Sequence, residues 1–240
     1  MKIVIGNQKA YLDLEGTNNF IKEAKGNKET IICPSYPFIT KYIEHSNYTV
    51  GAQDVSIRDG GATTGEICAK QLASLGVKYC IVGHSERRAF FKETSEELIT
   101  KINKLNEVNI TPIFCVGENR DEKDSGITKD VVGRELIEVF DHLDKEVIGK
   151  IIIAYEPVWA ISDGINPARI PTNDEIMDVT NYIKDLVSDK YDATVKVLYG
   201  GSVNKKNVDE LNTIEVCDGY LIGGASVKPE EFNYIMERNL

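Results

Sequence analysis

Val195-Lys196-Val197-Leu198-Tyr199-Gly200-Gly201-Ser202-Val203 and, further on, Gly219-Tyr220-Leu221-Ile222-Gly223-Gly224-Ala225-Ser226 share one signature. Each is a short, nearly continuous apolar run that stops at a pair of glycines. A strand buried on both faces reads this way, because neither face calls for polar residues. Working back along the chain, brief runs of the same kind recur at 3–5, 30–33, 48–51, 79–82, 111–116 and 151–155. Between runs lie amphipathic stretches, at 95–105, 131–143 and 175–187, with apolar residues at three- and four-residue spacing. These read as helices with one buried stripe.

Strand and helix thus alternate about eight times, which implies parallel strands joined by right-handed helical crossovers. Eight such units in 240 residues fit a closed (β/α)8 barrel better than an open sheet. An open doubly wound sheet would usually carry a G-x-G-x-x-G turn after its first strand, and Gly6-Asn7-Gln8-Lys9 is not one. No linker, low-complexity tract or shift in composition interrupts the chain. Residues 1–240 are therefore expected to form a single α/β barrel domain.

Composition narrows the function. The formal net charge is -10, so the surface repels phosphate backbones and nucleic acid is not an expected partner. An anionic substrate would have to be held by local groups: one placed cation, backbone N–H groups and helix N-termini. No stretch of ~18 apolar residues suits a membrane span. The N-terminal Met1-Lys2-Ile3-Val4-Ile5-Gly6-Asn7 turns polar too early for a signal peptide, so a cytoplasmic protein is expected. Five scattered cysteines without a C-x-x-C pair argue against a disulfide framework or a zinc site. With only His45, His84 and His142 in the chain, a histidine metal cage is not expected.

In a barrel of this kind the chemistry sits at the C-terminal ends of the strands. After the first run come Asn7 and Lys9; alone, Lys9 would read as a solvated loop lysine. After the fourth comes Gly83-His84-Ser85-Glu86-Arg87-Arg88. His84 alone would more often be a packed histidine than a catalyst. Ser85 suits a helix N-cap and Glu86 a first turn, and a helix N-terminus beside the ring disfavours imidazolium. After the sixth run Glu156 stands next to Pro157, Val158 and the only tryptophan, Trp159. A surface glutamate in a salt bridge is the plainer reading, but this apolar wall would raise its proton affinity and suit it as a base. The glycine pairs after the last two runs let backbone N–H groups approach a ligand; either pair alone reads equally as a tight turn, but both at successive strand ends suit a neutral phosphate cradle.

Taken in order, Gly6-Asn7-x-Lys9, Thr64-Gly65-Glu66, Gly83-His84-Ser85-Glu86-Arg87-Arg88, Cys115-Val116-Gly117-Glu118, Tyr155-Glu156-Pro157-Val158-Trp159-Ala160-Ile161 and the two glycine-pair turns closely resemble the triosephosphate isomerase family. Each piece is weak alone; the ordered set spans nearly the whole chain. The resemblance implies a TIM barrel that interconverts dihydroxyacetone phosphate and glyceraldehyde 3-phosphate, in glycolysis and gluconeogenesis, without cofactor or metal. It implies Glu156 as the base, His84 as the neutral electrophile and Lys9 as the cation near phosphate and carbonyl. Asn7 would help to hold Lys9, with Glu86 as its acidic neighbour. Ser162, Ser202, Gly223 and Gly224 would meet the phosphate through backbone N–H. Thr64 and Glu66 match a loop that crosses into a second subunit, with Arg87 as the partner of Glu66, so a homodimer is implied.

Two positions depart from the family pattern. Gln8 stands where the family usually has Trp, and Ser162-Asp163-Gly164-Ile165 stands where its lid usually reads Gly-Thr-Gly-Lys. Residues 166–171 add a longer, proline-bearing far side, and Thr172 with Glu175 reads as a capping box opening the next helix. These departures motivate a second reading, an isomerase for a four-carbon ketose phosphate; a third, a silent barrel that binds a sugar phosphate or a partner, is opposed by the retained Lys9, His84 and Glu156.

Overall fold

A computed structural model describes residues 2–161 and 170–239. Its strands are β1 (Ile3–Asn7), β2 (Ile31–Cys33), β3 (Thr49–Ala52), β4 (Tyr79–Val82), β5 (Thr111–Val116), β6 (Ile152–Tyr155), β7 (Lys196–Tyr199) and β8 (Gly219–Ile222). All pair in parallel, each with its sequence neighbour, and β8 closes onto β1. The (β/α)8 barrel expected from the apolar runs is the observed architecture, with strand limits within two residues of those runs.

Both strand faces are buried, which is why the runs lack alternation. Ile5, Cys33, Ile81, Ile113, Leu198 and Leu221 belong to one apolar cluster that fills the barrel. Their neighbours Val4, Ile32, Cys80, Phe114, Val197 and Tyr220 pack in a second, larger cluster with the surrounding helices. The alternation is a strand's two-residue period turned into two cores. Burying one such aliphatic side chain contributes about 1.5–3 kcal/mol relative to leaving it in water.

Three local readings meet the structure differently. The stripe expected at 131–143 belongs to a helix at Thr128–Phe140. Leu143 packs on the core from the turn that follows, so its apolar character extended the apparent period too far. The capping box at Thr172 is present: its side chain accepts the Glu175 N–H, and Glu175 accepts the Thr172 N–H in return. Ser85 is not an N-cap. The helix Ser85–Phe91 is capped by His84, whose imidazole accepts the Glu86 N–H and so occupies the capping role. Among the described residues no helix is long and apolar enough to cross a membrane.

Candidate active site

At the C-terminal mouth of the barrel one cleft is lined by Asn7, Lys9, His84, Glu156, Ser202, Gly223 and Gly224. The fold therefore gathers residues from the ends of β1, β4, β6, β7 and β8. A larger cavity of about 710 Å³ opens at the opposite end, among the first residues of β4 to β7, and contains none of these groups.

Lys9 sits in a left-handed turn with φ of 49°. The Asn7 side-chain oxygen accepts its N–H at 3.1 Å, and its carbonyl accepts Ser35 Oγ at 2.7 Å and Gln53 Nε2 at 2.8 Å. These contacts fix the backbone and send the ammonium to Glu86 Oε1 at 2.6 Å. The Lys9 Cε lies 3.5 Å from where a Cβ on Gly223 would stand, so the cation borders the turn after β8.

His84 and Glu156 form a buried pair, 5% and 2% exposed. His84 Nε2 lies 3.1 Å from Glu156 Oε1, and the Ser85 N–H donates to Glu156 Oε2 at 3.1 Å. The Glu86 N–H donates to His84 Nδ1 at 3.2 Å, which only an unprotonated nitrogen can accept, so the ring hydrogen belongs on Nε2. Burial by itself pushes the His84 proton affinity down, the Glu156 carboxylate pulls it up, and the net direction is upward. Glu156 shifts the other way. Burial raises its pKa, as its apolar wall led us to expect, but His84, the Ser85 N–H and Lys9 outweigh burial and hold it below the usual carboxylate value. The expected rise is thus corrected: the carboxylate is docked on a helix N-terminus and stays ionised.

Two glycines make this docking sterically feasible. A Cβ on Gly117 would fall 1.8 Å from the Glu156 carbonyl oxygen, and one on Gly200 would fall 2.8 Å from its Cγ. Only a residue without a side chain fits against the Glu156 backbone and stem. The turns after β7 and β8 are pinned from behind, since Asn207 Nδ2 donates to the Ser202 carbonyl and Ser226 Oγ to the Gly223 carbonyl.

Comparison with known proteins places the chain in a family. The family model described as triosephosphate isomerase matches residues 2–239. A protein of Dictyoglomus thermophilum named triosephosphate isomerase is 39% identical, the match covering 96% of both chains. One from Clostridium tetani, of the same name, is 35% identical over 98% of this chain and 95% of its own. A third, from Francisella tularensis subsp. novicida, is 34% identical over 99% and 96%.

The chain belongs to the triosephosphate isomerase family.

The isomerase expected from the sequence is accordingly supported, and the remaining residues can be placed within a triosephosphate isomerase barrel. Thr64 and Glu66 lie exposed in the loop after β3. Arg87 Nε lies 2.8 Å from Asp54 Oδ2, and its guanidinium sits 4.8 Å from the centre of the Phe91 ring. Gln8 is buried, donates Nε2 to the Ser226 carbonyl at 3.2 Å, and is not among the residues lining the cleft. It ties the β1 turn to the β8 turn. Ser162 and the lid departures at 162–169 lie outside the described residues.

Several contributors were not foreseen. Ser35 and Gln53 orient Lys9, yet each is a lone polar residue after a strand, and nothing local marks it. Glu118 is fully buried and accepts from Trp159 Nε1 at 2.8 Å and from the Tyr155 hydroxyl at 3.2 Å. It stands in Cys115-Val116-Gly117-Glu118, but its partners come from the end of the next strand and the turn after it, about 40 residues along the chain.

Proposed function

We propose that this chain interconverts dihydroxyacetone phosphate and glyceraldehyde 3-phosphate through an enediolate. The Glu156 carboxylate removes a proton from the carbon beside the substrate carbonyl. The electron pair moves onto the carbonyl oxygen, a proton passes from the adjacent hydroxyl oxygen to that oxygen, and the same carboxyl returns the carbon-bound proton to the neighbouring carbon. Electrons are conserved within the substrate, so the step needs no redox partner. His84 donates its Nε2 hydrogen to the oxygens on which charge develops, and Lys9 supplies the fixed positive charge. These roles are those of the family, a standard worked example of two groups whose environments set their tasks, and come to Glu156 and His84 by position in its motifs.

One observation carries the reading: an ionised, buried Glu156 bonded to the Nε2 side of a histidine whose Nδ1 is occupied by a backbone N–H. When the carboxylate turns to substrate, the upward pull on His84 goes with it. Burial, the largest influence, then favours the neutral ring together with the helix N-terminus and Lys9, against the remaining pull of Glu86. The turns at Ser202 and at Gly223-Gly224 present backbone N–H to the phosphate.

We also read residues 1–240 as one domain that works as a cytoplasmic homodimer. The exposed loop carrying Thr64 and Glu66 supports this. So do Phe90 and Phe91, 75% and 67% exposed on the helix that carries Arg87. The test of function is turnover of triose phosphate in D2O. Isomerisation through a carboxylate base is expected to place solvent deuterium on the product carbon. An absence of both turnover and exchange overturns the reading.

A further inference from the structure

Behind the base lies a second polar assembly that the reaction itself does not use. Arg88 Nε donates to the Gly83 carbonyl at 2.9 Å, and its Nη2 donates to the Cys115 carbonyl at 3.2 Å. Gly83 immediately precedes His84 and takes a left-handed φ of 71°. Cys115 lies near the end of β5, two residues before Gly117, the glycine pressed against the Glu156 carbonyl. One guanidinium therefore bridges the strand end that carries the electrophile and the strand end that supports the base. A planar fork with several fixed donors can hold two carbonyls at once in a set relation.

Glu135, on the helix Thr128–Phe140, completes the bridge. Its Oε2 accepts the Gly117 N–H at 3.0 Å, and its Oε1 lies 3.7 Å from Arg88 Nη1. Val116, next to Gly117, accepts the Glu156 N–H at 2.8 Å. The chain of contacts runs Gly83, Arg88, Glu135, Gly117, Glu156 without a gap. A cavity of about 320 Å³ opens beside it, bordered by Ser85, Arg88, Cys115, Glu135 and Glu156, so packing alone does not hold the base from that side.

We propose that Arg88, braced by Glu135, is a positioning residue that sets the spacing between His84 and Glu156. The proposal rests on the isomerase reading for its kinetic consequence. Neither residue lines the cleft that holds Lys9 and the glycine-pair turns, so neither touches substrate there. Loosening the bridge lets β4 and β5 ends shift, and misplacement of a reacting group by about 1 Å can cost roughly 100-fold in rate.

The pair also carries a titration signature. The charged and titratable groups facing His84 are Glu156, Glu86 and Lys9. Those facing Glu156 are His84, Lys9 and the Cys115 thiol. Proximity holds His84 up and Glu156 down, so separating them brings the two pKa values towards each other.

Arg88→Lys keeps the charge but loses the fork. Its kcat for triose phosphate is expected to fall roughly 10- to 100-fold with KM within a factor of about two. The acid limb of kcat/KM is expected to move to higher pH. In 15N-histidine NMR, which needs no turnover, the His84 titration is expected to move back down towards the ordinary value of 6.5. Parent turnover tests the isomerase reading, and the variant-to-parent comparison tests the positioning role. A folded Arg88→Lys protein with unchanged kcat and an unmoved His84 titration overturns the proposal. A fall in kcat that merely follows a lowered melting temperature, with His84 unmoved, overturns it too. If Arg88→Lys does not fold, Glu135→Gln, which still offers an oxygen to the Gly117 N–H but removes the charge beside Arg88, is read by the same criteria.

Discussion

The Nε2 of His84 stands 3.1 Å from the Glu156 carboxylate while the opposite ring nitrogen accepts a backbone N–H. The two groups assigned opposite tasks thus share one hydrogen bond in the resting site. In the proposed reaction Glu156 gives up this bond and the Ser85 N–H to reach a substrate carbon, and the substrate oxygens take over the His84 donor. Binding and release of the base are coupled through one hydrogen atom.

Replacing Glu156 by Gln keeps an oxygen for the Ser85 N–H and nearly the same volume, so the barrel is expected to remain folded. What is lost is the proton acceptor. General-base catalysis contributes typically 100- to 10,000-fold, and kcat is expected to fall by about that factor. A variant that isomerises at the parent rate removes Glu156 from the mechanism.

Stability is expected to respond to acid through the same residue. Glu156 binds its proton more weakly in the folded state than its ordinary value of 4.5. The unfolded chain therefore takes up the proton first as pH falls. The contribution is fully present above 4.5 and is lost as pH falls through the lower folded value. Urea midpoints of the parent and of Glu156→Gln, compared from pH 6 down to about pH 3, should converge or cross towards acid. A constant difference across that range contradicts the coupling.

Lys9 is fixed by Asn7, Ser35 and Gln53 at the backbone and by Glu86 at the tip. In a chain of net charge -10 it is the buried-side cation of the cleft. Lys9→Met is expected to weaken inhibition by inorganic phosphate by about tenfold or more, the loss of a charge-assisted hydrogen bond of ~1.5–3 kcal/mol. An unchanged inhibition constant places the anion elsewhere.

Much of this was legible in the sequence because parallel barrels write their strands as plain apolar runs. The runs at 79–82, 111–116 and 219–222 coincide with β4, β5 and β8. The residues just past the strand ends met in one cleft as the topology required. What could not be read was the sign of a balance. Pro157 and Trp159 announced an apolar wall around Glu156, but the opposing His84 and Ser85 N–H come from a strand 70 residues earlier in the chain, roughly, and only tertiary geometry weighs the two. The same holds for the N-cap: Ser85 has the favoured side chain, yet the chain leaves β4 so that the imidazole reaches the Glu86 N–H first.

Lys101 illustrates a buried charge with no part in the cleft. Its ammonium donates to Asp54 Oδ1 at 2.7 Å and to the Glu93 carboxylate, and all three side chains are largely buried. Glu93 in turn accepts the Gly83 N–H at 3.1 Å, next to His84. Lys101→Met would leave two carboxylates facing each other with only Arg87 nearby. Breaking a buried ion pair on one side typically costs about 3–5 kcal/mol, and the urea midpoint is expected to fall accordingly. A loss within about 0.5 kcal/mol, the range of ordinary surface changes, contradicts the role.

The proposed dimer makes the last prediction. Phe90 and Phe91 are adjacent on the helix Ser85–Phe91, and both stand well into solvent in the single chain. Two neighbouring aromatic side chains exposed to this degree are a poor surface for a monomer, since aromatic residues are enriched where interfaces bury them. Arg87 already lies against the Phe91 ring and Asp54, so this helix face is held rigidly enough to present its rings without further ordering. Phe91→Glu would place a charge in the middle of any such contact, where it would be desolvated without a partner. Sedimentation of the parent is expected to give twice the chain mass of 26.8 kDa, and the Glu variant to sediment as the monomer. The monomeric variant should keep its helical circular dichroism, because Phe91 makes little use of the barrel core. A parent that sediments as a monomer at micromolar concentration sinks the dimer. A dimeric Phe91→Glu variant moves the contact to another face.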